Sequence, residues 1–122
     1  MGAGKHSGSL SAILESISDG VVYLDRHARY LSINKAGAAI IRALGRNPEQ
    51  IIGLSVWEAF PELRGTVVER EIKRALESEV MIEYEFVYPP NQHLYEAQGY
   101  PSAEGIILVF RDLTSRQKEH HQ

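Results

Sequence analysis

Two spacings of apolar residues alternate along this chain, and each switch between them marks a new element. From Ser9 onward Leu10, Ile13, Leu14 and Ile17 recur at helical spacing, which predicts a short amphipathic helix ended by Ser18-Asp19-Gly20. Val21 to Asp25 and Arg29 to Asn34 are β-rich runs around a short polar turn, and predict a hairpin with Val22, Leu24, Leu31 and Ile33 facing inward. Asn34 is placed to cap a helix through Ala36, Ile40 and Leu44 that Gly45 ends. Asn47-Pro48-Glu49-Gln50 supplies a cap, a proline at the first helical position and a Gln at capping-box spacing. Ser55 and Glu58 repeat that spacing, and Pro61 limits their helix to about one turn. Thr66 and Glu69 open a longer helix to Glu79, with Val68, Ile72 and Leu76 as its apolar stripe.

The rest of the chain is extended. Ile82, Tyr84, Phe86 and Tyr88 alternate with Glu83 and Glu85 at a period of two. A turn at Pro89-Pro90-Asn91-Gln92 leads into a strand from His93 to Tyr100, and a second turn leads into Ile106 to Asp112. In that last strand Ile106, Leu108 and Phe110 point one way and Ile107 and Val109 the other, so both faces are apolar and both need cover. The fold class is therefore α+β: a five-stranded, mainly antiparallel sheet with short helices on one face and the N-terminal helix on or near the other. Residues 1–8 read as a flexible tail, 9–114 as one domain, and 115–122 as the start of a linker helix.

Composition narrows the function classes. With 43% hydrophobic and 24% charged residues over 122 positions the chain is an ordinary globular one, and its net charge of −3, mixed in sign along the sequence, offers no basic field to a nucleic acid or an anionic membrane. There is no cysteine, which removes disulfides, thiolate nucleophiles and thiolate metal sites. No apolar run nears the ~20 residues of a membrane span, and the N-terminus lacks the apolar core of a signal peptide, so a cytoplasmic location is expected.

Several segments in this order resemble a PAS domain, over about residues 10 to 118. Gly105 to Thr114, GIILVFRDLT, is similar to the family's final strand and its closing Asp-Ile-Thr signature. Tyr95-Glu96-Ala97 and Tyr100-Pro101-Ser102 resemble the preceding strand, while Asp25 and Asn34-Lys35-Ala36 match the first-hairpin Asp and an Asn-x-Ala. Gly53-Leu54-Ser55-Val56-Trp57 with Phe60-Pro61 resembles the short middle helices, and Ala28 departs from the glycine often found in the first turn. The resemblance implies a sensory module of a larger signalling protein, such as a histidine kinase of a two-component system, a cyclic-dinucleotide enzyme or a transcription regulator. Such modules hold a ligand between sheet and helices or serve as dimerisation parts.

The candidate chemistry is sparse. The histidines at 6, 27, 93, 120 and 121 avoid the long helix, which argues against the His-ligated haem of some PAS domains, and the absence of cysteine argues against a Cys-reactive flavin. The cofactor, if any, stays unknown, and a non-covalent flavin stays open. Gly2-Ala3-Gly4-Lys5 lacks the spacing of a phosphate loop. His93 and Glu96, three apart on a strand, point to opposite faces and make no metal pair; Glu83 and Glu85 share a face that reads as solvated. The inward set Ile33, Ile40, Leu44, Trp57, Phe60, Val68, Ile72, Tyr84, Phe86, Tyr95 and Phe110 forms either a filled core or a ligand pocket, with room left by Ala97 and Gly99.

The expected function is thus that of a sensor, not an enzyme, relaying a ligand or partner signal to a covalently linked effector. Two alternatives stand beside it: a ligand-free interaction domain, and a cone-shaped α+β enzyme, which would open with long helices and need a buried carboxylate or His. Val21, Tyr23, Leu94, Ile107 and Val109 make the outer sheet face too apolar for water; the helix of Leu10, Ile13, Leu14 and Ile17 is expected to cover part of it, and a second copy the rest. Thr114-Ser115-Arg116-Gln117 has helix-start spacing, as if the chain were cut from a longer one, and Asp112 and Thr114 are the candidate joint for relaying the signal.

Overall fold

Polar caps divide the middle of the chain into short helices, and alternating residues build a sheet from its two ends. The computed structural model describes residues 19–114. The helix expected around Leu10 to Ile17, the tail before it and the linker from 115 onward lie outside the described residues. In order come β1 (Gly20–Asp25), β2 (Tyr30–Ile33), α1 (Lys35–Ala43), α2 (Pro48–Ile51), α3 (Val56–Ala59), a 3₁₀ turn (Pro61–Leu63), α4 (Val67–Ser78), β3 (Ile82–Tyr88), β4 (His93–Pro101) and β5 (Gly105–Asp112). The five strands form one antiparallel sheet in the order β2-β1-β5-β4-β3, so the strand apolar on both sides is central. Gly105 is required where β5 meets β1, because a Cβ there would lie 2.0 Å from the Leu24 carbonyl oxygen.

The caps are side-chain oxygens accepting orphan backbone N–H groups. Asn34 accepts from Gly37 at the start of α1, and Asn47 accepts from Glu49 at α2, where Gln50 adds no reciprocal bond. Ser55 and Glu58 form the full capping box of α3. At α4 the box is shifted by one residue: Thr66 accepts from Val68, while Glu69 reaches past the cap to the Gly65 N–H. The helix closes at Glu79, a non-glycine residue in left-handed backbone with φ 54°.

The helices α1 and α4 pack on the inner sheet face, where Val22, Leu24, Ile72, Ile82 and Ile106 are fully buried. One inward expectation fails, for a visible reason. β1 pairs Val22 with Ile33 and Tyr23 with Ser32, then slips so that Leu24 pairs with Tyr30. Leu31 is the extra residue of that bulge and stands 42% exposed, while Tyr30 takes the buried place. The preceding turn holds Ala28 at φ 59°, the backbone a glycine would adopt, and Asp25 Oδ1 pins it by accepting from the His27 and Arg29 N–H groups at 2.8 and 2.9 Å.

Candidate functional site

Two-residue alternation turns Tyr84 and Phe86 of β3, Tyr95 and Ala97 of β4, and Leu108 and Phe110 of β5 toward the helices. There they meet Ile40 and Leu44 of α1, Phe60 beyond α3, and Val68 and Ile72 of α4 around a cavity of about 100 Å³. Nine of the eleven expected pocket residues line it: Ile40, Leu44, Phe60, Val68, Ile72, Tyr84, Phe86, Tyr95 and Phe110. Ile33 packs on the core without reaching the cavity. Trp57 packs on the core too, but borders a separate surface groove with Arg26, His27 and Lys73, and the Arg64 guanidinium sits 5.9 Å from its ring. A four-residue helix aims its side chains by where it docks, and that docking is not visible in sequence. Beyond the eleven expected residues, Val22, Tyr30, Ile41, Val56, Leu63, Tyr88, Ala97 and Leu108 also line the cavity. Strand parity with Tyr84 and Phe86 already marked Tyr88, whereas Tyr30 is hidden by the bulge.

The cavity wall is apolar apart from four phenols. Burial pushes the Tyr30 and Tyr84 phenols well up, and the proximity of Tyr84 raises Tyr30 further, so both stay protonated at neutral pH. Tyr84 as a whole is half-buried. The Tyr95 hydroxyl accepts from Asn91 Nδ2 at 3.0 Å. The Tyr88 hydroxyl donates to Glu62, which also receives both of its oxygens' contacts from Arg46 Nη2, at 3.0 and 2.9 Å. Burial pushes the Tyr88 phenol up to about 12, and its bond to Glu62 adds to that. Burial alone would raise the Glu62 carboxyl, but the Tyr88 hydroxyl and Arg46 hold it below the usual range. Arg46 further donates to the Ala59 carbonyl at 2.7 Å and lies 4.7 Å over the Phe60 ring. This cluster ties the segment around the 3₁₀ turn to the end of β3 beside the cavity.

Where β5 ends, the two candidate joint residues meet a partner not foreseen. Asp112 Oδ1 accepts from the Thr114 N–H at 2.8 Å, and Oδ2 lies 2.8 Å from His93 Nδ1. The Thr114 hydroxyl oxygen accepts from the Leu94 N–H at 2.8 Å, fastening the exit of β5 to the start of β4. The chain turns helical at Leu113 and Thr114. Asp112 is thus the residue capping this turn, two positions before the start expected at Thr114, whose hydroxyl is spent on β4. The His93 ring lies 6.2 Å from the ring of Tyr95, a cavity residue. His93 and Glu96 do face opposite sides, Glu96 lying 3.5 Å from Arg111.

The outer face carries Val21 opposite Val109 and Tyr23 opposite Ile107, with Leu94 opposite Val87 nearer the β3 edge. All five expected dimer-face residues, Val21, Tyr23, Leu94, Ile107 and Val109, lie on this face and are half-buried, while Val87 is 49% and Tyr100 39% exposed. Glu83 and Glu85 stand exposed beside them, and Arg111 pairs with Asp19 at 2.9 Å.

Chemically, the cavity lining holds no carboxylate, imidazole, amine, serine or threonine, and its hydroxyls are the four phenols. Among the described residues no group of three or more His, Asp or Glu is placed to hold a metal ion, and no helix is long and apolar enough to cross a membrane.

The family described as the PAS fold matches residues 14–118. Solved structures agree. The PAS domain of a Colwellia psychrerythraea protein is 19% identical, with 91% of this chain and 99% of that one covered at TM-score 0.65. A domain of an HTR-like protein from Haloarcula marismortui is 22% identical, with 80% and 100% covered at 0.64. The photoactive yellow protein domain of the sensor histidine kinase Ppr from Rhodospirillum centenum is 18% identical, with 88% and 97% covered at 0.62. At such identities the likeness is one of fold. No curated protein matches the sequence.

Proposed function

This chain belongs to the PAS fold family, and from that premise we propose that it is the sensory module of a signalling protein, reading a small molecule in the cavity and relaying the change to a following effector. The observation that carries the reading is a continuity of contacts. Tyr95 lines the cavity, its ring lies against His93, and His93 faces the carboxylate that caps the turn leaving β5. A ligand that displaces the Tyr95 ring therefore moves the group that aims the exit of the domain. The apolar outer face completes the device: a second copy covering Val21, Ile107 and Val109 would place two such exits side by side. A lining without a nucleophile or titratable base near neutral pH favours binding over catalysis. A sensor histidine kinase among proteins of similar fold is one setting for such a module.

The test is made in the full-length protein. Asp112→Ala is expected to uncouple signal from output while the domain keeps its melting temperature to within a few degrees; His93→Ala is expected to act in the same direction, more weakly. Unchanged output from both variants would remove the joint, and with it the relay.

A further inference from the structure

We infer that the cavity takes a small, uncharged, ring-sized molecule carrying an oxygen acceptor, and that the Tyr30 and Tyr84 hydroxyls are the donors that recognise it. The inference rests on the sensory reading above and names its ligand class. Four phenols reach the cavity: Tyr88 gives its proton to Glu62, Tyr95 accepts from Asn91 and so has one protein partner, and Tyr30 and Tyr84 have none. Among the described residues the hydroxyls of Tyr30 and Tyr84 have no hydrogen-bond partner, although Tyr30 is only 6% exposed. Neither oxygen is sealed from the cavity space, so a ligand that excludes water from them must offer an acceptor in its place or leave two donors unsatisfied.

Charge sets the class. No lining side chain is charged, and the guanidinium whose charge reaches Tyr30, that of Arg46, is taken up by Glu62 and the Ala59 carbonyl. A ligand carboxylate or ammonium would lose its hydration and gain no counter-ion. Burial keeps both phenols in the donor form, which suits a carbonyl or ether oxygen. Size and shape agree: about 100 Å³ is room for several waters at roughly 10–15 Å³ each, or for one ring. The rings of Phe60, Phe86 and Phe110 supply flat apolar walls.

Three probes of similar size separate the possibilities by calorimetry on the whole chain: acetophenone, which is neutral with an acceptor; ethylbenzene, which lacks one; and benzoate, which is charged. Acetophenone is expected to bind roughly five- to tenfold more tightly than ethylbenzene, the worth of one buried hydrogen bond, and benzoate more weakly than either. Tyr30→Phe and Tyr84→Phe, which keep the rings and hence the fold, are expected to erase the acetophenone preference and leave ethylbenzene binding unchanged. Equal or tighter binding of benzoate, a preference that survives both substitutions, or no binding of any probe overturns the ligand class. None of these outcomes bears on the Asp112→Ala result, so failure of the class and failure of the relay remain distinguishable.

Discussion

The two faces of this one sheet are made by the same strands and live in different surroundings. On the inner face every strand contributes apolar or tyrosine side chains, and Leu24, Ile72, Ile82 and Ile106 meet there with essentially no exposure. On the outer face the central strands β1 and β5 remain apolar at Val21, Tyr23, Ile107 and Val109, but β3 presents Glu83 and Glu85 and β4 presents Glu96 and Gln98. The inner face is a core with a cavity in it. The outer face is an apolar strip bordered by charge, which is how a surface built for contact with another protein is laid out. Alternation at a period of two thus gives one segment two surroundings, and if the outer face associates as proposed, substitutions on the two sides should fail in different ways.

The largest effect is expected inside. Ile72→Ala removes a fully buried side chain from the α4 face beside the cavity. Denaturant melts should show a loss of ~2–5 kcal/mol, transfer and cavity terms together. Val109→Glu, on the opposite face of β5, should cost the isolated domain far less. Its effect should appear in light scattering as a dimer weakened at least ~10-fold, from a charge placed in an apolar interface. Equal melts for the two variants would erase the distinction between the faces, and a strict monomer in the parent protein would remove association from the outer one.

These two residues were also the readable ones. The central strand and most cavity residues follow from Ile106 to Phe110 being apolar at every position, which needs cover on both faces, and from the alternation of Ile82 to Tyr88, which turns Tyr84 and Phe86 to one side. The caps at Asn34, Asn47, Ser55 and Thr66 fixed the helix starts through local chemistry. What escaped was decided by geometry beyond the neighbouring residues. The bulge at Leu31 reverses strand parity, and since Tyr30, Leu31 and Ile33 are all large, alternation gave no reason to prefer Tyr30 inside. Trp57 depended on the docking of a one-turn helix. The His93–Asp112 contact spans 19 positions and follows from the β4–β5 register, which places Tyr95 opposite Asp112.

A smaller effect sharpens the contrast where the inner face meets solvent. Glu62→Gln leaves Tyr88 and Arg46 with a neutral partner, and should cost about 1–2 kcal/mol at pH 7. Because the folded Glu62 carboxyl titrates below its ordinary value of 4.5, its contribution is full above that value and is lost as pH falls through the lower folded one. The two proteins should therefore differ most near neutrality and converge in acid. A constant gap down to pH 3 would show that Glu62 acts through shape and not charge.

The smallest effect separates buried from exposed at matched backbone. Ala28 and Glu79 both hold left-handed φ values, 59° and 54°, where a side chain costs about 1 kcal/mol relative to glycine. Ala28 is 2% exposed and its methyl packs in the core; Glu79 points into solvent at the end of α4. At Glu79 glycine relieves the strain and gives up no packing, and only the greater freedom of the unfolded chain opposes it, so Glu79→Gly should stabilise by ~0.5 kcal/mol. At Ala28 the same relief is offset by the loss of a buried methyl worth ~0.8 kcal/mol, so Ala28→Gly should be neutral to slightly destabilising. Paired urea titrations resolve a difference of this size through the shift in midpoint at constant slope. If both variants gain equally, the Ala28 methyl contributes nothing to the core; if both lose, the left-handed backbone is not strained at either position.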